Sequence, residues 1–236
     1  MILNNIGISS FDVIKDVKNN SEVLIMDFNQ INSSTTSYKN IKIFFEEGYK
    51  KGIDPKLPEN RQRFNETFLA LANKKYLIGK YGEDRKETLK GSQIAKEGRT
   101  IHLGVDIFSK ELNDVNTPYN GEIVRTGFEP GPHSYGHYII VKHEIKRDMF
   151  YTFYGHLSKN LPKLGLIKAG ERIGSLGDFT NGENGGWSRH LHFQLLTELP
   201  PEGQTPIGYS TKANFEQNKR KFPDPNIILQ IPCLSS

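Results

Sequence analysis

The clearest hydrophobic pattern in the chain is a strict alternation over residues 188–195, which reads Ser-Arg-His-Leu-His-Phe-Gln-Leu. Such alternation predicts a β-strand whose successive side chains point to opposite faces of a sheet. The apolar side chains from Leu191 to Leu195 share one face and should pack in a core. His190 and His192 share the other face. Taken alone, such a pair is more often two surface histidines than a site, so partners elsewhere in the chain must decide.

Residues 99–108 show the same arrangement. One parity is apolar (Ile101, Leu103, Val105, Ile107), and the other holds His102, Gly104 and Asp106. Gly104 and the β-branched neighbours favour a strand, in which the glycine clears space above the sheet. Histidine and aspartate are both zinc ligands in proteins. This second strand therefore supplies candidate partners for the histidine pair.

A third stretch, residues 150–158, is predicted to place Tyr151, Phe153 and Leu157 on an apolar face, with Thr152, Tyr154 and His156 on the other. Three strands would then aim four histidines and one aspartate away from their apolar faces. Catalytic zinc takes three protein ligands and leaves a fourth position for water. The pattern therefore favours a metal site with spare histidines for acid–base work.

The rest of the chain divides into two parts that differ in the periodicity of their hydrophobic residues. Residues 23–26 read as a strand, 38–51 and 59–74 as amphipathic helices, and 76–90 as a loop that lines a site or connects elements. From Gly98 onward the chain consists of short segments in which apolar and polar residues alternate, and glycine-rich turns separate these segments. Strands are predicted at 121–127, 138–144, 150–157, 166–177 and 188–196. We expect a mainly β, antiparallel sheet or sandwich with a partly helical N-terminal region, α+β overall. Its predicted parts are a mixed helical N-terminal region at 1–95 that packs on or near the cleft, a domain at 96–200 that contains the candidate zinc site, and a wrapping C-terminal tail at 201–236.

Composition narrows the function. The 236 residues are 36% hydrophobic and 25% charged, contain no apolar run of membrane-spanning length and carry a net charge of +4. Basic residues are scattered, apart from a Lys-Arg-Lys run at 219–221, so neither nucleic-acid binding nor membrane insertion is expected. Cys233 is the single cysteine, which excludes an internal disulfide. The N-terminus lacks a secretory pattern, so we expect cytoplasmic localisation, with the cell envelope or periplasm as the alternative for a trimmed start.

Three motifs in order, His102-x-x-x-Asp106, a Tyr-Gly-His-Leu-Ser run around His156, and His190-x-His192, resemble the lysostaphin/LytM-type zinc metalloendopeptidase family. The resemblance implies one Zn²⁺ ion held by His102, Asp106 and His192. It also implies that His156 and His190 are the catalytic pair. Which of the two acts as base and which as acid stays open.

A narrower likeness involves residues 78–85, Ile-Gly-Lys-Tyr-Gly-Glu-Asp-Arg, which are similar to a run in peptidase modules fused to aminotransferase-like and kinase-like enzymes. It implies that this run forms part of the wall of the site. Arg85 either binds a substrate carboxylate or forms a structural ion pair with Glu83 or Glu87. The candidate substrate contacts are Tyr81, Arg85, Tyr154 and Trp187, and structural packing is the alternative for the tryptophan.

Three functions follow as hypotheses. The first is a zinc endopeptidase that cleaves peptidoglycan-type peptide cross-links. The second is a cytosolic zinc amidohydrolase acting on a soluble peptide or amide. The third is a non-catalytic relative that regulates another hydrolase, although a complete set of ligands and acid–base groups argues against it. The oligomeric state and the cleaved bond cannot be predicted from the sequence.

Overall fold

The structure, a computed structural model, describes residues 13–26, 57–86, 88–89 and 92–234. The strands in these ranges are β1 (Val23–Met26), β2 (Tyr76–Gly79), β3 (Arg99–His102), β4 (Val105–Ser109), β5 (Asp114–Asn116), β6 (Gly121–Glu129), β7 (Gly136–Ile145), β8 (Asp148–Leu157), β9 (Gly165–Ile167), β10 (Arg172–Ser175), β11 (His190–Leu196) and β12 (Tyr209–Thr211). The helices are α1 (Pro58–Ala72), α2 (Gln93–Lys96), α3 (Phe215–Lys221) and α4 (Asn226–Leu229). Single 3₁₀ turns lie at Asn20–Glu22, Phe179–Asn181 and Pro232–Leu234.

One large sheet organises the described residues. Its eight strands follow the order β1-β2-β4-β11-β8-β7-β6-β9, and all neighbours are antiparallel except β1 and β2. Two small antiparallel pairs, β10 with β5 and β12 with β3, complete the strand pairing. The predicted mainly β, antiparallel fold is therefore confirmed. No helix in the described part of the chain combines the length and apolarity that a membrane crossing requires.

The core lies under one face of this sheet. Leu191, Phe193 and Leu195 of β11 are fully buried there, as the alternation predicts, together with Val105 and Ile107 of β4. The same core takes in residues from both ends of the chain, namely Val13, Ile14, Val17, Ile228, Leu229 and Ile231. The three-part division at residues 95 and 200 stays a prediction.

The elements predicted for the N-terminal half of the chain have mixed outcomes. The strand at 23–26 and the helix at 59–74 are confirmed by β1 and α1, whereas the helix predicted at 38–51 lies outside the described residues. The loop prediction for 76–90 is wrong at its start, because Tyr76–Gly79 forms β2, buried between β1 and β4. All four residues of β2 are buried, so both of its faces are covered and its sequence does not alternate.

Two predicted strands are each divided in the structure. The stretch at 99–108 breaks after His102, because β3 pairs with β12 while β4 pairs with β2 and β11. The main-chain N–H of Leu103, at the break, donates to Gly208 O over 3.0 Å. The stretch at 166–177 becomes β9 at the edge of the large sheet and β10 in a separate pair. Periodicity shows extended chain, but it does not show which neighbour each part chooses.

Candidate metal centre

Three side chains converge on the face of the sheet opposite the core. His102 ends β3, Asp106 lies on β4, and His192 lies on β11 directly opposite Asp106. His192 Nδ1 is 2.9 Å from Asp106 Oδ1, and His102 Nε2 is 3.3 Å from the same oxygen and 3.2 Å from His192 Nδ1. All three side chains are buried. The convergence predicted from strand parity is therefore present in the folded chain.

The outer hydrogen bonds of the two histidines set their tautomers. His102 Nδ1 lies 3.0 Å from Lys80 O, and a carbonyl oxygen only accepts, so the imidazole proton is on Nδ1. His192 Nε2 lies 3.1 Å from Gln194 Oε1, and the amide of Gln194 is oriented by its own donation to Ile207 O over 3.1 Å. His102 Nε2 and His192 Nδ1 therefore turn lone pairs toward the centre of the cluster.

This donor set fits a divalent cation. Two imidazole lone pairs and a carboxylate oxygen meet with no proton between them, which is unfavourable in a buried site unless a cation lies among them. Four ligands at about 2.0–2.1 Å around tetrahedral zinc lie about 3.3–3.4 Å from one another, close to the separations in the cluster. Burial alone would raise the pKa of Asp106, but His102 and the Arg85 guanidinium hold it well below its usual range. The carboxylate is therefore ionised and available as a ligand.

A second pair of imidazoles lies beside the cluster. The rings of His156 and His190 are 4.2 Å apart between centroids, and His190 Nε2 is 3.9 Å from Asp106 Oδ1. His190 Nδ1 donates to Ser188 O over 2.7 Å, and His156 Nδ1 donates to Asn184 O over 2.9 Å. Burial lowers the pKa of His190 to about 4 and that of His156 well below its ordinary value. Both rings are therefore neutral at pH 7, each with Nε2 free of a proton.

His156 reaches this position through an unusual backbone conformation. Its φ of +62° lies in the left-handed region, which is uncommon for any residue other than glycine. The conformation is held by two main-chain hydrogen bonds, from His156 N to Tyr135 O and from Gly177 N to His156 O, each 2.8 Å long. A local reversal of this kind turns the side chain to the other face of the strand.

The parity prediction for β8 is therefore right for His156 and Leu157 and wrong for residues 151–154. Tyr151 and Phe153 lie on the side of the sheet that carries the histidines, and Phe153 is 6.2 Å from His192 between ring centroids. Thr152 and Tyr154 lie on the core side, where Tyr154 packs at 5.2 Å from Phe193 and its hydroxyl accepts a hydrogen bond from Thr152. The fully buried Tyr154 cannot line the cleft, which corrects its prediction as a substrate contact.

The other predicted wall residues have identifiable partners. The Tyr81 hydroxyl donates to Phe222 O over 2.6 Å and ties the wall to the C-terminal segment. Trp187 lies 6.3 Å from the rings of both His156 and His190, and the Arg61 guanidinium lies 5.3 Å from the tryptophan ring. The ring of Trp187 is therefore at the edge of the histidine cluster, and its contact with substrate stays a prediction.

Arg85 forms the ion pair that the sequence analysis names as one alternative. Its guanidinium is buried, pairs with Glu83 and donates to Asp106 Oδ2. The structure thus favours the structural alternative over a substrate carboxylate contact. Glu87, the other partner considered, lies outside the described residues.

Tyr209 is a neighbour of the site that sequence reasoning missed. Its ring lies 5.5 Å from that of His102, and its hydroxyl accepts from Arg85 Nη1 over 3.3 Å. It comes from β12 in the predicted wrapping tail, and no motif there marks it. Only the pairing of β12 with β3 brings this tyrosine to the cluster.

Comparison with known proteins covers this same part of the chain. Residues 100–205 match the model of Peptidase family M23, whereas the comparison with curated proteins found no match. Among solved structures, the catalytic domain of the antimicrobial peptidase lysostaphin from Staphylococcus simulans is 22% identical with a TM-score of 0.42. That alignment covers 66% of this chain and 97% of that one.

Two further structures are similar to the chain. The antimicrobial peptidase lysostaphin from the same organism is 25% identical with a TM-score of 0.40, and the match covers 68% of this chain and about half, 52%, of that one. LytU is 20% identical with a TM-score of 0.34, and the match covers 54% of this chain and 79% of that one.

The family match supports a peptidase, a hydrolase of peptide bonds, and the matched segment lies largely in the antiparallel sheet. The matched segment contains all three histidine motifs. It matches the model of Peptidase family M23, which confirms the lysostaphin/LytM-type resemblance.

Proposed function

We propose that the protein is a zinc-dependent endopeptidase that hydrolyses a peptide bond, with peptidoglycan-type cross-links as its substrate. The observation that carries the proposal is a buried cluster of three proton-free ligand atoms beside two neutral imidazoles. His102, Asp106 and His192 would hold the ion. When bound, zinc polarises a scissile carbonyl and lowers the pKa of its bound water to about 7.

His156 and His190 would handle the protons of the reaction. A neutral imidazole can accept a proton from the attacking water, and an imidazolium can return one to the leaving amine. The Nδ1 atoms of both rings already donate to backbone carbonyls, so each ring has Nε2 available for this exchange. The two environments are too similar to assign the base and the acid separately.

Two alanine variants test the division between ligand and acid–base residue. His192→Ala should lose both the metal and activity, because a ligand atom is removed. His190→Ala should keep the metal and lose hydrolysis of peptide. His137→Ala, on β7 beside Phe128, is the matched control and should retain both. Equal metal content in the His192 and His190 variants would contradict the assignment.

The substrate is tested separately. Product mass spectrometry on muropeptides and on a panel of soluble peptides distinguishes a peptidoglycan endopeptidase from a hydrolase of soluble peptides. Cleavage of the soluble panel alone would contradict the peptidoglycan proposal and leave the zinc endopeptidase in place. Cytoplasmic localisation stays a prediction that cell fractionation tests directly.

A further inference from the structure

A buried arginine from outside the family-matched segment contacts the proposed metal carboxylate. Arg85 Nη1 donates to Asp106 Oδ2, the oxygen that turns away from the histidines. On its other side the guanidinium contacts Glu83 Oε1 through two nitrogens, with Nε 2.7 Å and Nη2 2.6 Å from that oxygen. Tyr209 adds a further contact to Nη1. Glu83, Arg85 and Asp106 thus form a buried, hydrogen-bonded chain that ends at the cluster.

The fold makes specific room for this guanidinium. Gly79 on β2 lies opposite Asp106 on β4, and a Cβ at Gly79 would be 2.3 Å from Arg85 Nη2. Any larger residue at that position would displace the guanidinium or the strand. Gly79 and Arg85 are therefore coupled, although they lie six positions apart in sequence.

The contact divides the two oxygens of the carboxylate between two tasks. Oδ1 faces His102 and His192, while Oδ2 is held by a planar donor of fixed geometry. A carboxylate held in this way cannot rotate to offer both oxygens to one ion. Hydrogen-bonding partners behind metal ligands act by this means, and their loss typically weakens metal binding by about 10–100-fold.

We propose that Arg85, held by Glu83, is a positioning residue that restricts Asp106 to one-oxygen ligation and so favours a compact, four-coordinate metal site. The inference rests on the proposed zinc function, since it assigns a role toward that ion. It extends the site beyond residues 100–205 to the wall at residues 79–85, and it predicts that this wall is needed for metal binding.

The test uses a double variant, Glu83→Gln with Arg85→Gln, that removes the guanidinium together with the carboxyl group that holds it. Loss of a positive charge beside a cation would by itself strengthen zinc binding, so a weaker affinity reflects the lost hydrogen bonds to Asp106. Zinc affinity is measured on the full chain by competition with a chromophoric chelator. The visible absorption of the Co²⁺-loaded protein reports coordination number, which a merely structural role would leave unchanged.

We expect the double variant to bind zinc about 10–100-fold more weakly. We also expect weaker Co²⁺ absorption, as its site expands from four ligands. Arg85→Lys, which keeps the charge without the planar fork, should fall between the double variant and the unmodified chain in both readouts. Arg125→Gln is the matched control, because that arginine donates to the carbonyls of residues 200, 201 and 204 and is remote from the cluster.

The outcomes separate the two proposals. An unmodified chain that binds no zinc overturns the proposed function, and the inference with it. A chain that binds zinc, together with a double variant of the same affinity and Co²⁺ spectrum, overturns the inference alone. If the double variant does not fold, Arg85→Lys decides by the same two readouts, and an unchanged affinity and spectrum in it contradict the positioning role.

Discussion

Gly104 is the position where a single added methyl group should abolish the proposed metal binding. A Cβ at this residue would lie 2.5 Å from His192 Cε1, 2.7 Å from His192 Nε2 and 2.9 Å from the backbone oxygen of Phe193. Ordinary contacts begin at 3.4 Å, so the imidazole would have to move by about 0.9 Å, the difference between 3.4 and 2.5 Å. A shift of the Gly104 backbone cannot relieve this overlap, because the added Cβ also lies too close to the backbone oxygen of Phe193.

That displacement exceeds what a metal site tolerates. Ligand distances must hold within about 0.2 Å, so a shift of nearly 1 Å should weaken zinc binding by at least about 100-fold, equivalent to about 2.7 kcal/mol. Overpacking should also lower the free energy of unfolding of the metal-free protein by about 1–3 kcal/mol. We therefore predict that Gly104→Ala folds but binds zinc poorly.

The assay is chelator competition for zinc affinity, with urea unfolding in excess chelator to measure stability independently of metal. Gly174→Ala is the matched control, because its Cβ would meet only Leu157 Cδ1 at an ordinary 3.6 Å. A Gly104→Ala protein with the zinc affinity of the control would refute the argument that this glycine clears the space for His192.

Two further predictions concern other buried polar residues. Burial lowers the pKa of His143 to about 4, so its neutral form stabilises the fold above pH 6.5 and that contribution, about 3 kcal/mol, is lost as pH falls from 6.5 toward 4. His143→Gln should therefore show a smaller drop in chelator-treated unfolding free energy between pH 7 and pH 4, and an identical drop contradicts the idea. The backbone carbonyl of Asn184 accepts the hydrogen bond that orients His156. The Asn184 side chain fixes this loop by hydrogen bonds to the backbone of Gly177, Gly186 and Trp187. Asn184→Ala should lower kcat while leaving zinc content intact, and kinetics with metal analysis checks both.

Alternation on β11 and β4 was sufficient to predict which of their residues face the candidate metal site. The apolar parity of each strand enters the core because removal of apolar surface from water dominates the energetics, and the opposite parity must then face away. His190, His192 and Asp106 follow from this rule with no tertiary information. Gly104 follows as well, since only a residue without a side chain fits beside an inward-turned imidazole.

The same rule failed on β8 for a local reason. Periodicity assumes a regular backbone, and His156 departs from it at a φ of +62°, which reverses the direction of its side chain. Hydrogen bonds to Tyr135 and Gly177, both distant in sequence, hold that conformation. Tyr154 is therefore in the core although alternation grouped it with His156, and the pattern of residues 150–158 alone could not predict this separation.

The sequence by itself determined which side chains make up the candidate site: two imidazoles and a carboxylate as the proposed ligands, with two more imidazoles beside them. Only the tertiary structure decided what surrounds those groups. Arg85 reaches Asp106 because β2 pairs with β4, and Tyr209 reaches His102 because β12 pairs with β3. Strand pairing depends on long-range packing and hydrogen bonding between segments, whereas a residue pattern reports only its own segment.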